Sequence, residues 1–387
     1  MKILHTADWH VGKLLKGASR LDEHRRVLAE IAEVARREAV DLIVVAGDVY
    51  ESAAPPPEAQ GVALHALLAL RDTGAKVVVI AGNHDNAHQF DALRPLMAEL
   101  EITMLGLPTR PDAGGVIEVA ARAGQERACV SLLPFCSQRY VVRATELMAG
   151  DAASNAGDYA QRMQALLHAL SADFSTASVN LVVAHCMARG GRLGGGERDA
   201  QTIEPYWVSG TAFPAAHYVA LGHLHLTQEI PGGAPIWYSG SPIQVDFGEV
   251  DDDKHVLVIE ATPSTPAKVR KVKLDTGARL MIVEGTLDEL AARVANIAAD
   301  AFLRVVVREP ARAGLADEVR ARLGERVVEV RLDPPKTDAS EHAAGDERDR
   351  RRDRTPHDLF RSFLAESGYD DDRLVALFDR LLDTATT

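Results

Sequence analysis

The sequence predicts an α/β fold: a two-sheet α/β sandwich, extended by a small α/β unit and followed by a C-terminal helical hairpin. Three observations predict it. Short β-branched runs alternate with amphipathic helical stretches through the first half of the chain, which is the pattern of sheets layered with helices. These runs are apolar at consecutive positions and stop at a glycine or a polar residue, as strands buried on both faces do. At 387 residues the chain exceeds what one hydrophobic core organises, so smaller units are expected beside one large domain.

Residues 3–6 open the chain as a strand. Leu21, Val27, Leu28, Ile31, Val34 and Ala35 then recur at helical spacing, with Ser19 and Asp22 read as a capping pair ahead of them. Strands are expected at 42–46, 77–81, 179–184 and 218–221, and helices near 57–72, 89–99 and 158–170. Residues 116–119 and 128–133 add two strands, and alternation in 253–261 and 268–274 places two more at a sheet edge. The large domain is expected to span 1–275. A strand, helix, strand, helix, strand order follows at 281–283, 287–297, 303–307, 315–323 and 327–332, which makes a small α/β domain of 276–335. Pro334, Pro335 and the charged run 347–354 read as a solvated linker over 336–355. In 356–387, Leu359, Phe360, Phe363 and Leu364 form one apolar stripe, and Leu374, Leu377, Phe378, Leu381 and Leu382 form another. Two short helices bury little alone, so these faces must meet the rest of the chain or a partner.

Composition narrows the class. With 47% hydrophobic and 26% charged residues the chain reads as an ordinary globular protein. Cys129, Cys136 and Cys186 form no C-x-x-C pair and no even framework, which fits a reducing compartment and buried filler roles. The N-terminus reaches Asp8 with no room for the apolar core of a signal peptide, and no run is long enough to cross a bilayer. The expectation is a cytoplasmic protein with no membrane attachment. A net charge of −13 counts against nucleic acid as a partner, so a DNA substrate must be argued from something other than charge.

Five groups of metal-competent side chains fall at the C-terminal ends of predicted strands or just beyond them, where open α/β sheets place their sites. They are Asp8-Trp9-His10, Gly47-Asp48, Gly82-Asn83-His84-Asp85, His185, and Gly222-His223-Leu224-His225. One such group alone reads equally well as a turn or a cap. Five in this order point to a metal centre, and the glycines before the candidate ligands allow sharp backbone turns toward it. Histidine nitrogen with carboxylate oxygen and no thiolate suits manganese, iron or zinc more than calcium. His5, His24, His65, His88, His168, His217 and His255 fall outside these groups and read as surface or core residues. Trp9 reads as a packing residue. The glycine-rich segment with Arg189, Arg192 and Arg198, and likewise Lys13, Lys16 and Arg20, reads either as phosphate-touching or as solvated surface.

The series D-x-H, GD, GNHD, a later His and GHLH resembles the calcineurin-like metallophosphoesterase superfamily. Within it, GDVYESAAPPPEA, the GHLH pair and the tail TPHDLFRSFL are similar to the SbcD nuclease family. The resemblance implies a sandwich of the metallophosphoesterase type with a capping domain, and two divalent metal ions, with manganese favoured. It assigns one ion to Asp8, His10, Asp48 and His225 and the other to Asp48, Asn83, His185 and His223, with Asp48 shared. Two adjacent ions clamp a phosphodiester and stabilise charge on the attacking and leaving oxygens, which is why one carboxylate is shared. His84 would be the acid or transition-state stabiliser. Asp85 would either hold the His84 ring or cap the helix that begins near Gln89. Archaeal relatives carry a histidine where this chain has Glu51, so no role is carried over to Glu51.

By the same resemblance the chain would be the nuclease subunit of an SbcC/SbcD-type complex acting on DNA in repair and recombination, as a double-strand exonuclease and a single-strand or hairpin endonuclease. Its tail would dock on SbcC, a coiled-coil ATPase, and the chain would work as a homodimer within a heterotetramer. A stand-alone phosphoesterase acting on a small phosphodiester or a phosphoprotein would share every ligand. A non-catalytic scaffold is a third class, and the complete ligand set argues against it.

Overall fold

The computed structural model describes residues 1–122, 124, 126–149, 158–195, 197 and 206–333, together with 360, 361, 364, 374, 375, 377 and 378. Two six-stranded sheets pack face to face. The first runs Thr265–Lys273, His255–Thr262, Lys2–Thr6, Leu42–Val45, Lys76–Ile80 and Ile102–Leu105, the last four parallel. The second runs Gln228–Ile230, Ile236–Tyr238, Tyr218–Gly222, Val179–His185, Arg127–Leu133 and Val116–Ala120, with an antiparallel strand at each edge of a parallel centre.

Side chains alternate faces along a strand, so each continuous apolar run feeds two cores. Leu42 and Val44 pack between the sheets with Ile80, Leu132, Val183 and Leu257. Ile43 and Val45 face outward with Val27, Leu28 and Ile31 of helix Leu21–Glu38 and Leu67 and Leu70 of helix Pro57–Arg71. On the second sheet, Val182 and Ala184 meet Met163, Leu166 and Leu167 of helix Tyr159–Leu170. The two-sheet α/β sandwich read from the sequence is therefore the fold. Its parallel strands Lys2–Thr6, Leu42–Val45, Lys76–Ile80, Val179–His185 and Tyr218–Gly222 end at the five candidate ligand groups.

Some elements differ from expectation. Strands Ile102–Leu105, Gln228–Ile230 and Ile236–Tyr238 and helix Gln138–Ala149 were not legible in the sequence. Ser19 and Asp22 make no capping pair: the first helix starts after Arg20 without a side-chain cap. Arg20 itself sets that turn, because its buried guanidinium donates twice to Glu23 at 2.7 Å and also bonds the Gln244 carbonyl. It is thus not a phosphate ligand. Cys129, Cys136 and Cys186 are free and buried.

A three-stranded parallel sheet, Leu280–Gly285, Phe302–Val307 and Val327–Leu332, carries helices Leu287–Val294 and Leu315–Leu323 over its own core of Val283, Leu290, Leu303, Val305 and Val319. Thr286 and Glu289 form a capping box at the first of these helices, which ends at Val294, earlier than the expected residue 297. Leu15, Phe247, Leu280 and Phe302 join this unit to the sandwich, with the Arg304 guanidinium 4.2 Å from the centre of the Phe247 ring. The expected linker 336–355 lies outside the described residues. So does most of the expected hairpin 356–387, although the rings of Phe360 and Phe378 stack at 4.2 Å. No described helix is long and apolar enough to cross a membrane.

Candidate metal centre

The backbone at the ends of the parallel strands is bent into rarely used conformations. Asp8, His10, Asp48 and His223 have φ of 54°, 48°, 51° and 115°, the left-handed region that costs a residue with a Cβ about 1 kcal/mol or more. Main-chain bonds hold them there: Asp8 N–H donates to the Gly47 carbonyl and His10 N–H to the Asp48 carbonyl, each at 3.0 Å. The glycines are required by close approach. A Cβ on Gly82 would stand 2.1 Å from Asp48 Oδ1, and one on Gly47 would stand 2.3 Å from His185 Nδ1.

These loops bring all seven expected ligands and His84 to one rim. Asp48 Oδ2 lies 3.5 Å from His185 Nε2, 3.9 Å from His10 Nε2 and 4.0 Å from His84 Nε2. Asn83 Oδ1 is 2.8 Å from both His185 Nε2 and His223 Nδ1. Asp8 Oδ1 accepts the His223 N–H at 2.9 Å, and His10 Nε2 faces His225 Nε2 at 3.0 Å. Apart from half-buried Asn83, every one of these residues is buried.

The arrangement suits cations. Nδ1 of His10 lies 2.9 Å from Glu51 Oε2 and Nδ1 of His225 lies 3.1 Å from Glu249 Oε1, so both rings carry their proton on Nδ1. Their Nε2 lone pairs then face each other, which is repulsive until a positive charge sits between them. Asp8 Oδ2 is buried with no hydrogen-bond partner. Burial, reinforced by the Asp48 charge, pushes the Asp8 carboxyl well above its usual range, so it needs a cation to ionise. Burial also lowers the rings of His10, His185 and His223, the last to about 3, which keeps them neutral and able to donate lone pairs. Imidazole and carboxylate donors converging with their protons turned away fit a divalent cation.

His84 sits on the edge of this cluster. Its N–H donates to Asp48 Oδ1 at 2.8 Å, its Nδ1 donates to the Glu51 carbonyl at 2.7 Å, and its ring meets that of His10 edge to face at 4.7 Å. Asp85 does neither of the things expected of it. The tautomer of His84 is set by the Glu51 carbonyl, and helix Ala87–Glu99 is capped by Asn86, whose side chain accepts the Gln89 N–H. The Asp85 carboxylate turns the other way and accepts the N–H groups of Gly82 at 2.8 Å, Tyr50 at 2.9 Å and Val49 at 3.2 Å. It ties two ligand loops together. Burial and the Asp48 charge push it to about 7 against the pull of those three donors.

A family model described as calcineurin-like phosphoesterase matches residues 1–226, more than half of the chain and the whole ligand series. A second, described as type 5 capsule protein repressor C-terminal domain, matches residues 277–367. The SbcD component of nuclease SbcCD from Bacillus subtilis (strain 168) is 35% identical over 286 residues, covering 73% of this chain and 71% of that protein. The chain belongs to the SbcD family of calcineurin-like phosphoesterases. The SbcD components of Rhodobacter capsulatus and Escherichia coli (strain K12) are 36% and 29% identical, over 67% and 76% of this chain and 66% and 73% of their own lengths. This SbcD-family chain is a metal-dependent phosphoesterase, and on this rim His10, Asp48 and His84, and Asp48, His185 and His223, bring their donor atoms within 4.8 Å of one another.

Sequence reasoning missed the carboxylates that support the site of this SbcD-family chain. Glu51 bonds His10 and takes Lys13 Nζ at 2.8 Å; burial opposes its ionisation, but His10 and Lys13 prevail and hold it near 2. Lys13 is therefore paired within the site. Glu249 bonds His225, takes Lys254 Nζ at 2.7 Å and the Val245 N–H at 2.9 Å, and is likewise held near 2 against its burial. Glu197 accepts the His225 N–H at 3.2 Å and the Gly194 N–H at 2.7 Å, so the glycine-rich segment is fastened to the rim; Arg198 lies outside the described residues. Only Glu51 had a sequence signal, its place three residues after Asp48.

Proposed function

We propose that this chain is the DNA nuclease subunit of an SbcC/SbcD-type complex, cleaving phosphodiester bonds as a double-strand exonuclease and a single-strand or hairpin endonuclease in DNA repair and recombination. What carries the reading is the convergence of Asp8, His10, Asp48, Asn83, His84, His185, His223 and His225 on one rim, in a chain that resembles SbcD nuclease components over about three quarters of its length. Asp8, His10, Asp48 and His225 hold one divalent cation and Asp48, Asn83, His185 and His223 hold a second, manganese in each case. When bound, such a pair supplies Lewis acidity and a water activated at neutral pH.

The chain's own residues set the stage for that chemistry. The left-handed backbone at Asp8, His10, Asp48 and His223 presets the donors, so little reorganisation remains when substrate arrives. His84 has Nδ1 fixed to the Glu51 carbonyl, which leaves Nε2 as the nitrogen directed at the phosphodiester; as the imidazolium the ring would give its Nε2 proton to the leaving oxygen, or stabilise its charge, and remain neutral with the Nδ1 proton still on the Glu51 carbonyl. Asp85 acts through loop position. Residues 1–275 form the nuclease domain, 276–335 a capping domain over the site, 336–355 a linker, and 356–387 the segment that docks on the SbcC coiled-coil ATPase. The chain works in the cytoplasm as a homodimer within a heterotetramer.

The test is nuclease activity of the purified full chain on linear duplex and hairpin DNA, with and without its ATPase partner. Shortened duplex ends and opened hairpin loops are expected. Hydrolysis of small phosphodiesters with neither DNA product would overturn the reading in favour of a stand-alone phosphoesterase.

A further inference from the structure

The two halves of the metal centre differ in what supports their histidines. In the half made by Asp8, His10, Asp48 and His225, both rings donate their Nδ1 proton to a carboxylate, His10 to Glu51 at 2.9 Å and His225 to Glu249 at 3.1 Å. Each carboxylate is anchored in turn. Glu51 is held by Lys13 at 2.8 Å. Glu249, fully buried, is held by Lys254 at 2.7 Å, and Lys254 also donates to Ser241 Oγ at 3.0 Å and to the His225 carbonyl at 3.2 Å.

The other half has no charged support. His185 donates Nδ1 to the Ala46 carbonyl at 2.8 Å, whereas His223 turns Nδ1 toward Asn83 Oδ1, a donor atom of this same half, at 2.8 Å, and its Nε2 on the far side of the ring is buried without a hydrogen-bond partner among the described residues. Among the described residues, no carboxylate hydrogen-bonds either ring. The donor charge differs in the same sense: Asp8 and Asp48 serve the first half, whereas the second shares Asp48 and adds only an amide. A carboxylate behind an imidazole fixes its tautomer and makes the opposite nitrogen a stronger donor; a carbonyl does the first but less of the second.

We propose that Glu51 and the Lys254-clamped Glu249 are positioning residues that make the Asp8, His10, Asp48 and His225 half the tight seat for a divalent cation, so that the two cations bind in order. The half containing Asn83, His185 and His223 fills second and exchanges faster. This ordering presupposes the ligand assignment proposed above.

The experiment is a calorimetric titration of manganese into the metal-free full chain, with electron paramagnetic resonance at each addition. Two resolved steps are expected, with an isolated-ion signal after the first equivalent and a spin-coupled pair after the second. Glu51→Gln should weaken the first step by about 10-fold or more and leave the second in place. Asn83→Ala should remove the second and leave the first. Glu249→Gln leaves the Lys254 charge buried without its partner, so Glu249→Gln/Lys254→Met is measured beside it; Glu51, half-buried, tests the idea without that complication. An unchanged melting temperature of metal-free Glu51→Gln separates positioning from a structural role. Two equal steps, a coupled pair from the first addition, or an unaltered first step in Glu51→Gln would overturn the ordering while leaving the ligand assignment standing. A wild-type chain that takes up no manganese would instead overturn the assignment and the ordering together.

Discussion

Gly82→Ala and Gly61→Ala add the same methyl group and have opposite expected outcomes. At Gly82 the new Cβ would stand 2.1 Å from Asp48 Oδ1, 2.3 Å from Asp48 N and 2.7 Å from Asp48 Cγ. That is about 1 Å inside ordinary contact. None of these atoms is the loose end of a flexible side chain, because Asp48 is 2% exposed and its Oδ1 accepts the His84 N–H at 2.8 Å. The loops after Val45 and Ile80 must therefore part, at about 1–3 kcal/mol of stability. The carboxylate that moves faces His185, His10 and His84 at 3.5, 3.9 and 4.0 Å, and a displacement near 1 Å at a reacting site costs on the order of 100-fold in rate. At Gly61, within helix Pro57–Arg71, the added Cβ meets nothing within 4 Å, so alanine should stabilise the chain by about 0.5–1 kcal/mol through a less disordered unfolded state. The assay is hydrolysis of a chromogenic phosphodiester at saturating metal, with thermal melts of both variants. Near-wild-type turnover in Gly82→Ala, or equal behaviour of the two variants, refutes the reasoning.

Three further outcomes follow from the same site. Chelation should abolish hydrolysis; manganese should restore it best, as the resemblance to SbcD nucleases implies, and calcium poorly, because the donors are imidazole and carboxylate; full recovery with calcium alone would contradict this. His84→Asn should lower kcat by about 10²–10⁴-fold while calorimetry shows manganese uptake retained, and unchanged turnover would remove His84 from the chemistry. His5 and His24 are buried and held at about 3 and about 4, chiefly by desolvation. Their folded values lie below the unfolded one, so the unfolded chain binds more protons as pH falls through about 6.5, and stability declines from there by about 1.4 kcal/mol per pH unit per group. Urea midpoints of the metal-free chain should therefore fall between about pH 6.5 and about pH 5, and a flat profile would show that these rings titrate normally.

What the sequence made legible follows the physics of burial. The runs at Leu42–Val45 and Val179–His185 announce themselves because both faces of those strands are covered, leaving no polar position to blur them. The ligand groups were visible because each ends or closely follows a strand and three are marked by a glycine that a Cβ would ruin. Ile102–Leu105 was missed because it is a four-residue edge strand that begins three residues after the end of helix Ala87–Glu99 and has only two β-branched residues. Asp85 was misread because chain adjacency to His84 suggested contact, whereas the turn sends the two side chains apart, one to the Glu51 carbonyl and the other to three amide N–H groups. Glu249 and Lys254 carry no local signal at all: only the packing of the segment after His225 brings them behind that ring. Supporting residues are set by tertiary structure, which periodicity does not record.

Diffraction at the manganese edge from crystals of the full chain grown in excess manganese tests the central claim most directly. Two anomalous peaks are expected on the rim, one against Asp8, His10 and His225, the other against Asn83, His185 and His223, with Asp48 touching both. A rim without peaks, or peaks held by other side chains, would contradict the account.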